Sequence, residues 1–264
     1  MTVKVAQNSI AAIRAVIQAQ AHSYKLYIDS ILEQNQLKVL IDSIAGQVSM
    51  YVFSGITRNF LFGYLNNRDI DFVVIDSHKL RIPISLLRET SIQKNKFGGY
   101  KLQTNHLTID VWDVEKTWGI VREGMRGTAY SLMNTAFFNF SAIVYDYNKG
   151  KFYVTDEFCE FYKTHVIEVV YPRNPRIETC IVNALYYADR YDFVIGESLR
   201  KWVARHYNKN MSFVAAQESR FGSVIYSDGM MNAFVHICSN PEIYKHGNVT
   251  LYDESHRVML RFGK

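Results

Sequence analysis

Apolar side chains over the first 45 residues fall at helical spacing. Ile10, Ile13, Val16 and Ile17 form one stripe, Tyr27, Ile28, Ile31 and Leu32 a second, and Leu37, Leu40, Ile41 and Ile44 a third. This predicts helices from Ser9 to about Ala45. From Gln47 the period shortens. Alternation predicts a strand at Val48 to Phe53, a helix from about Ile56 to Tyr64, a strand at Asp69 to Ile75, and a short helical stretch near Pro83 to Glu89. A hairpin follows across Lys101 to Asp113, entered through Gly98-Gly99, and then a strand through Phe140 to Tyr145. From about Glu157 helical spacing returns. The pattern divides the chain into an N-terminal helical segment (1–46), a head in which strands and helices alternate (47–155) and a mainly helical C-terminal region (156–264), an α+β class with a mixed sheet flanked by helices. There is no internal repeat, low-complexity tract or linker, and only four prolines occur, so the regions are expected to pack as one body.

The strand at Asp69 to Ile75 carries the chemistry. Side chains alternate along a strand, so Asp69 and Asp71 share one face while Ile70 and Phe72 take the other. Two carboxylates on one face repel each other and lose hydration, a cost that cations between them remove. Mg²⁺ is the natural choice. Upstream, the small-residue turn Ser54-Gly55 opens the Ile56 helix, where phosphate oxygens can approach backbone N–H groups. Arg58, one turn in, is placed to reach a triphosphate or to pin an acid of the site. A third acid, Asp110, lies on Leu107 to Trp112, and joins the first two if that strand pairs beside theirs. Asp113 falls on the other face and reads as a cap or turn acid.

This combination resembles the DNA polymerase β-like nucleotidyltransferase superfamily, and most of all the head domain of tRNA CCA-adding enzymes and poly(A) polymerases. Their Gly-Gly-X-X-Arg-Asp-X-Leu-X-Gly and Asp-h-Asp-Phe motifs (h, apolar) are matched by Ser54, Gly55, Arg58, Asn59, Leu61, Gly63, Asp69, Asp71 and Phe72. Ser stands for the first Gly, and Asn59 for the Asp. Asn139 to Asp146 is similar to a later stretch of those enzymes that ends in Tyr-Asp, although Ala136 and Phe137 replace its Arg-Asp. Arg176 to Trp202 is similar to their neck helix but lacks the Glu-Asp-X-X-Arg motif that selects CTP and ATP. The resemblance implies a nucleotidyltransferase with Asp69, Asp71 and Asp110 as catalytic metal ligands for two Mg²⁺ ions. It also implies Ser54, Gly55 and Arg58 at the phosphates of a nucleoside triphosphate, the substrate.

Composition limits the other possibilities. Hydrophobic residues make up 48% of the 264, with no stretch long and uncharged enough to span a bilayer. The first eight residues have no secretion-signal pattern. Cys159, Cys180 and Cys238 are few and widely spaced, as in a reducing compartment, so a cytoplasmic enzyme is expected. The eight histidines show no zinc spacing with the cysteines, and serine-hydrolase and P-loop motifs are missing.

The net charge of +5 is mild, but Arg200, Lys201, Arg205, His206, Lys209, Arg257, Arg261 and Lys264 gather near the end. They interleave with Trp202, Tyr207, Phe213, Tyr252 and Phe262. Such a surface suits a single-stranded nucleic acid or primer end, with Arg200, Lys201 and Arg205 on its phosphates. The leading expectation is a template-independent polymerase or end-modifier, as in an antiviral defence or toxin system. The alternatives are nucleotidylylation of a protein, including self on Tyr, or of a small-molecule hydroxyl, and a non-catalytic nucleotide- or RNA-binding relative.

Overall fold

The computed structural model describes residues 9–53, 55–67, 69–82, 85, 91–94, 98–245, 247–254 and 256–263. Two compact units emerge. The first comprises residues up to 136 together with 140–159, and the second 137–139 together with 160 onward.

The first unit opens with α1 (Ile10–Ala19), α2 (Ala21–Gln34) and α3 (Lys38–Ala45). Ser9 caps α1 by accepting the N–H of Ala12 at 3.2 Å. The buried stripe through α1 and α2 is Ile13, Ile17, Ala21, Tyr24, Ile28 and Leu32, whereas Val16, expected on that face, is exposed. The alternating region gives β1 (Met50–Phe53), α4 (Gly55–Leu61), β2 (Asp69–Val74), β3 (Ser91–Lys94), β4 (Tyr100–Gln103) and β5 (Thr108–Asp113). After α5 (Trp118–Glu123) and α6 (Ala129–Asn134) come β6 (Ile143–Asp146) and β7 (Lys151–Val154). The seven strands form one sheet in the order β3-β4-β5-β2-β1-β6-β7, antiparallel at every pair except β2 and β5.

Three expected elements shift or fall outside view. Helix α4 stops at Leu61 rather than running to Tyr64, because Gly63 takes a left-handed φ of 77° that ends the helical path. The strand expected from Phe140 starts at Ile143, and residues Asn139–Ser141 form a single 3₁₀ turn instead. The helical stretch near Pro83 to Glu89 lies outside the described residues except for Ser85.

One face of the sheet is apolar. Ile70, Phe72 and Val74 of β2, Ile109 and Val111 of β5, Leu102 of β4 and Tyr145 of β6 are all buried. Tyr24 of α2 packs on Tyr145 and Phe152, with ring centroids 4.7 and 5.2 Å away, and its hydroxyl pairs with Thr57 of α4 at 2.8 Å. Burying each large apolar side chain on this face contributes about 1.5–3 kcal/mol. That sum, rather than any polar contact, holds the sheet register.

Helix α4 is tied down by a polar chain. The Arg58 guanidinium is buried and donates to Asn59 Oδ1 through Nε (3.0 Å) and Nη2 (2.7 Å), with its Cζ 4.9 Å from the Phe140 ring centroid. Asn59 Nδ2 donates to Asn67 Oδ1 at 2.7 Å, and Asn67 Nδ2 donates to the Tyr27 hydroxyl at 2.8 Å and to the Tyr64 carbonyl at 3.0 Å. An amide at position 59 can accept from the arginine and donate to Asn67 together, which a carboxylate cannot do.

The second unit begins where α7 (Asp156–Thr164) carries the chain out of the first. It holds β8 (Val166–Ile167), α8 (Ile177–Tyr191), β9 (Val194–Ile195), α9 (Glu197–His206), α10 (Phe213–Phe221), α11 (Asp228–Ser239) and α12 (Pro241–Tyr244). A terminal hairpin, β10 (Asn248–Tyr252) and β11 (Arg257–Phe262), completes a four-stranded sheet in the order β10-β11-β9-β8. The region is mainly helical, as expected, but the hairpin was not anticipated. Its inward residues, Leu251, Val258 and Leu260, alternate with exposed Tyr252 and Met259. The Glu168 carboxylate caps α9, accepting the N–H groups of Glu197 (3.1 Å) and Ser198 (2.9 Å) and the Ser198 hydroxyl. Gly196 makes room for it, because a Cβ there would lie 2.1 Å from the Glu168 carboxyl carbon. Among the described residues no helix is long and apolar enough to cross a membrane.

Substitutions at two positions test this packing. A Cβ on Gly99 would meet the Val111 carbonyl oxygen at 2.0 Å, so the turn into β4 admits no side chain. Gly99→Ala is expected to destabilise the protein by about 1–3 kcal/mol, read from the urea midpoint, and an unchanged midpoint would contradict the β4–β5 geometry. Asn59→Ala leaves the buried Arg58 without its forked acceptor, and a loss of about 1–3 kcal/mol is expected. Asn59→Asp should also destabilise, since its oxygen then faces Asn67 Oδ1. A gain in stability from Asn59→Asp would show that the relay is wrongly drawn.

Candidate active site

The candidate site lies on the second face of the seven-stranded sheet. Strands β2 and β5 run parallel with Asp69 opposite Thr108, Asp71 opposite Asp110 and Val73 opposite Trp112. Residues directly opposite on neighbouring strands point to the same face. The structure therefore sets Asp71 and Asp110 side by side, with Asp69 two residues along β2 on that same face. Burial follows the alternation: Asp69 is exposed and Asp71 and Asp110 are half-buried, while Ile70, Phe72, Ile109 and Val111 between them are buried.

The row continues onto β4, where Lys101 stands opposite Asp110. Across three strands the order is Asp71, Asp110, Lys101, two carboxylates and one ammonium. Lys101 was read from the sequence only as the edge of a hairpin. Its place was countable, however. Once the turn is fixed at Thr104–Leu107, closed by the Thr104 N–H on the Leu107 carbonyl at 2.9 Å, residue 103 meets 108 and residue 101 meets 110.

An all-carboxylate donor set matches a hard divalent cation such as Mg²⁺. The acids are gathered on one face but not closed into a cage. Among the described residues no group of three His, Cys, Asp or Glu side chains converges on a single metal position. The adjacent pair, Asp71 and Asp110, is the part of the set that backbone register fixes. Asp69 sits one pleat repeat away.

The other sequence candidates separate clearly. Gly55 begins α4, and a Cβ there would meet nothing within 4 Å, so its surroundings are open. Ser54 lies outside the described residues. Arg58 is buried within the Asn59 and Phe140 contacts described above. Asp113 is a cap: its carboxylate accepts the N–H groups of Ser77 and Glu115, each at 2.9 Å. Burial alone would raise its pKa, but these bonds outweigh it and hold the carboxyl below its usual value. Asp146, the acid of the Tyr-Asp stretch, is buried at the β6–β7 turn, where it accepts the Lys149 N–H at 2.9 Å and pairs with Lys149 Nζ at 3.5 Å.

The expected acceptor surface in the second unit needs correction. Arg200 is buried, not presented to a phosphate backbone: Nη2 donates to the Gly263 carbonyl at 3.2 Å, and the guanidinium lies 4.0 Å from the Tyr244 ring centroid. On an amphipathic helix its position falls on the inner side, beside Leu199 and Val203. Trp202 is buried too, with Nε1 donating to the Pro172 carbonyl at 2.9 Å, and is stacked on His206. Lys201 and Arg205 are exposed, and Lys201 pairs with Glu197 at 2.6 Å.

No family model matches the chain, and a search of curated proteins gives no match. Solved structures do match. A tRNA-processing enzyme solved with CTP is 19% identical over 79% of this chain and 55% of that one, with a TM-score of 0.52. A tRNA nucleotidyltransferase complexed with a primer tRNA and an incoming ATP analogue is 22% identical over 62% of this chain and 48% of that one, with a TM-score of 0.48. A Thermotoga maritima CCA-adding enzyme complexed with tRNA is 19% identical over 84% and 61%, with a TM-score of 0.47. The chain spans about half the length of the first structures it matches. What the closer overlay establishes is fold: a mixed sheet flanked by helices, shared with the tRNA-processing enzyme solved with CTP.

Proposed function

We propose that this chain is a Mg²⁺-dependent nucleotidyltransferase. It would move a nucleotide from a nucleoside triphosphate to a hydroxyl at a nucleic-acid end and release pyrophosphate. The observation that supports this reading is the parallel, in-register pairing of Asp71 with Asp110, with Asp69 on the same face of the sheet. The fold shared with a tRNA-processing enzyme solved with CTP supports it as well.

Asp69, Asp71 and Asp110 would hold the magnesium, which supplies positive charge to the triphosphate and to the attacking oxygen. The remaining work falls to positioning and proton transfer. The acceptor oxygen attacks the α-phosphorus in line, and the new P–O bond forms as the bond to pyrophosphate breaks. Asp110 takes the hydroxyl proton. Lys101, beside Asp110 on β4, offsets part of the negative charge on this face. Gly55, with Ser54 ahead of it, would leave α4 open to the β- and γ-phosphates, and Arg58 would serve by holding that helix in place.

Incubation with each α-labelled NTP and dNTP, with Mg²⁺ and with or without a single-stranded oligonucleotide, tests the reading. A product ladder on the oligonucleotide is expected. Label on the protein alone would move the acceptor to a protein hydroxyl, and no transfer to any acceptor would sink the proposal. Asp69→Ala and Asp71→Ala should abolish transfer without lowering the melting temperature, since each removes a repelling charge. Asp110→Asn should keep nucleotide affinity by calorimetry while the rate falls by about 10²–10⁴-fold. Equal loss of affinity and rate would remove Asp110 from the proton-transfer role.

A further inference from the structure

The second unit contains a cavity of about 530 Å³ lined by Arg200, Tyr244, Lys245, Phe262, Glu242 and Pro241. This lies in the range of roughly 300–1,000 Å³ usual for small-molecule pockets. None of these residues belongs to the candidate active site. Arg200 is the telling feature. It is only 6% exposed, and among the described residues its hydrogen bonds go to carbonyl oxygens, Gly263 at 3.2 Å and Gly196 at 3.4 Å. Among the described residues no carboxylate forms an ion pair with it. A guanidinium has five N–H donors, these carbonyls engage only Nε and Nη2, and the carboxylate whose charge acts on it, Glu197, does so without a direct ion pair.

The walls say what would complete it. Lys245, at the rim, adds a second cation, part-committed to Glu242 at 3.2 Å. Tyr244 and Phe262 stand at 5.1 Å with rings nearly parallel, and Arg200 is 4.0 Å from the first ring centroid and 6.0 Å from the second. Two cations beside an aromatic wall suit a ligand with a doubly charged anionic group on a planar ring system.

We infer that this cavity binds a small organic phosphate of nucleoside-monophosphate size, its phosphate between Arg200 and Lys245 and its ring against Tyr244 and Phe262. Arginine matches phosphate oxygens with paired N–H donors, and the exposed Lys245 ammonium adds a second charge that can exchange Glu242 for the phosphate. Glu242 opposes the ligand and sets a limit on affinity.

Calorimetry of the full chain in EDTA, with AMP, adenosine and inorganic phosphate as separate titrants, tests this. EDTA removes any contribution that depends on a divalent ion. AMP should bind with one site per chain, and adenosine and phosphate each at least about ten-fold more weakly. Arg200→Gln should abolish binding. Should that variant fail to fold, two rim variants decide: Lys245→Glu should weaken AMP about ten-fold or more, and Glu242→Gln should tighten it. Asp71→Asn should leave the AMP isotherm unchanged. The inference is overturned if AMP gives no saturable heat at millimolar concentration, if Lys245→Glu binds AMP as the wild type does, or if Asp71→Asn removes the binding.

Discussion

Two carboxylates placed side by side on parallel strands are what the head of this protein must support. At a strand spacing of ~5 Å, like charges repel by about 3 kcal/mol at an effective dielectric of 20, and by less than about 1 kcal/mol where water fills the space. Asp71 and Asp110 are half-buried, and Lys101 opposite Asp110 offsets part of that repulsion. The opposite face of the same two strands outweighs it. Ile70, Phe72, Val74, Ile109 and Val111 are buried, each contributing about 1.5–3 kcal/mol. Slipping the register by one residue would part the acids but send this apolar row to solvent. Register therefore holds the two carboxylates together on one face, which is where a cation would bind.

The surroundings of that pair are built to the same end. The relay from Arg58 through Asn59 and Asn67 to Tyr27 fixes α4 against α2. In the second unit Glu168 is consumed in capping α9, and Arg200, like Arg58 in the first, is drawn inside against rings and carbonyl groups. Each unit thus buries one arginine among its described residues, Arg58 against Phe140 and Asn59 in the first and Arg200 against Tyr244 in the second.

Much of the head could be read from residues alone because period and chemistry coincide there. The alternation Asp69-Ile70-Asp71-Phe72 gives both the strand and its polar face, and the hairpin that brings Asp110 back follows from a short polar turn between apolar runs. What could not be read is which strands become neighbours. The parallel pairing of β2 with β5 joins residues about forty apart, and only packing of the apolar face against the helices selects it. The C-terminal hairpin was missed because Arg257, Arg261, Tyr252 and Phe262 read as a charged, stacking surface, while the alternation of Val258 and Leu260 between them is short. Arg200 misled for a related reason: a basic residue one step from Lys201 looks like part of a charged face until the helix is wound, when it turns inward.

Mn²⁺ binding to the nucleotide-free protein, followed by electron paramagnetic resonance, reads the central claim directly. The account predicts that wild-type protein binds Mn²⁺, and that Asp71→Asn and Asp110→Asn each weaken it by about ten-fold or more while their double variant binds none above background. Mn²⁺ affinity unchanged in the double variant would show that these paired carboxylates are not the metal site, and the account would fail there.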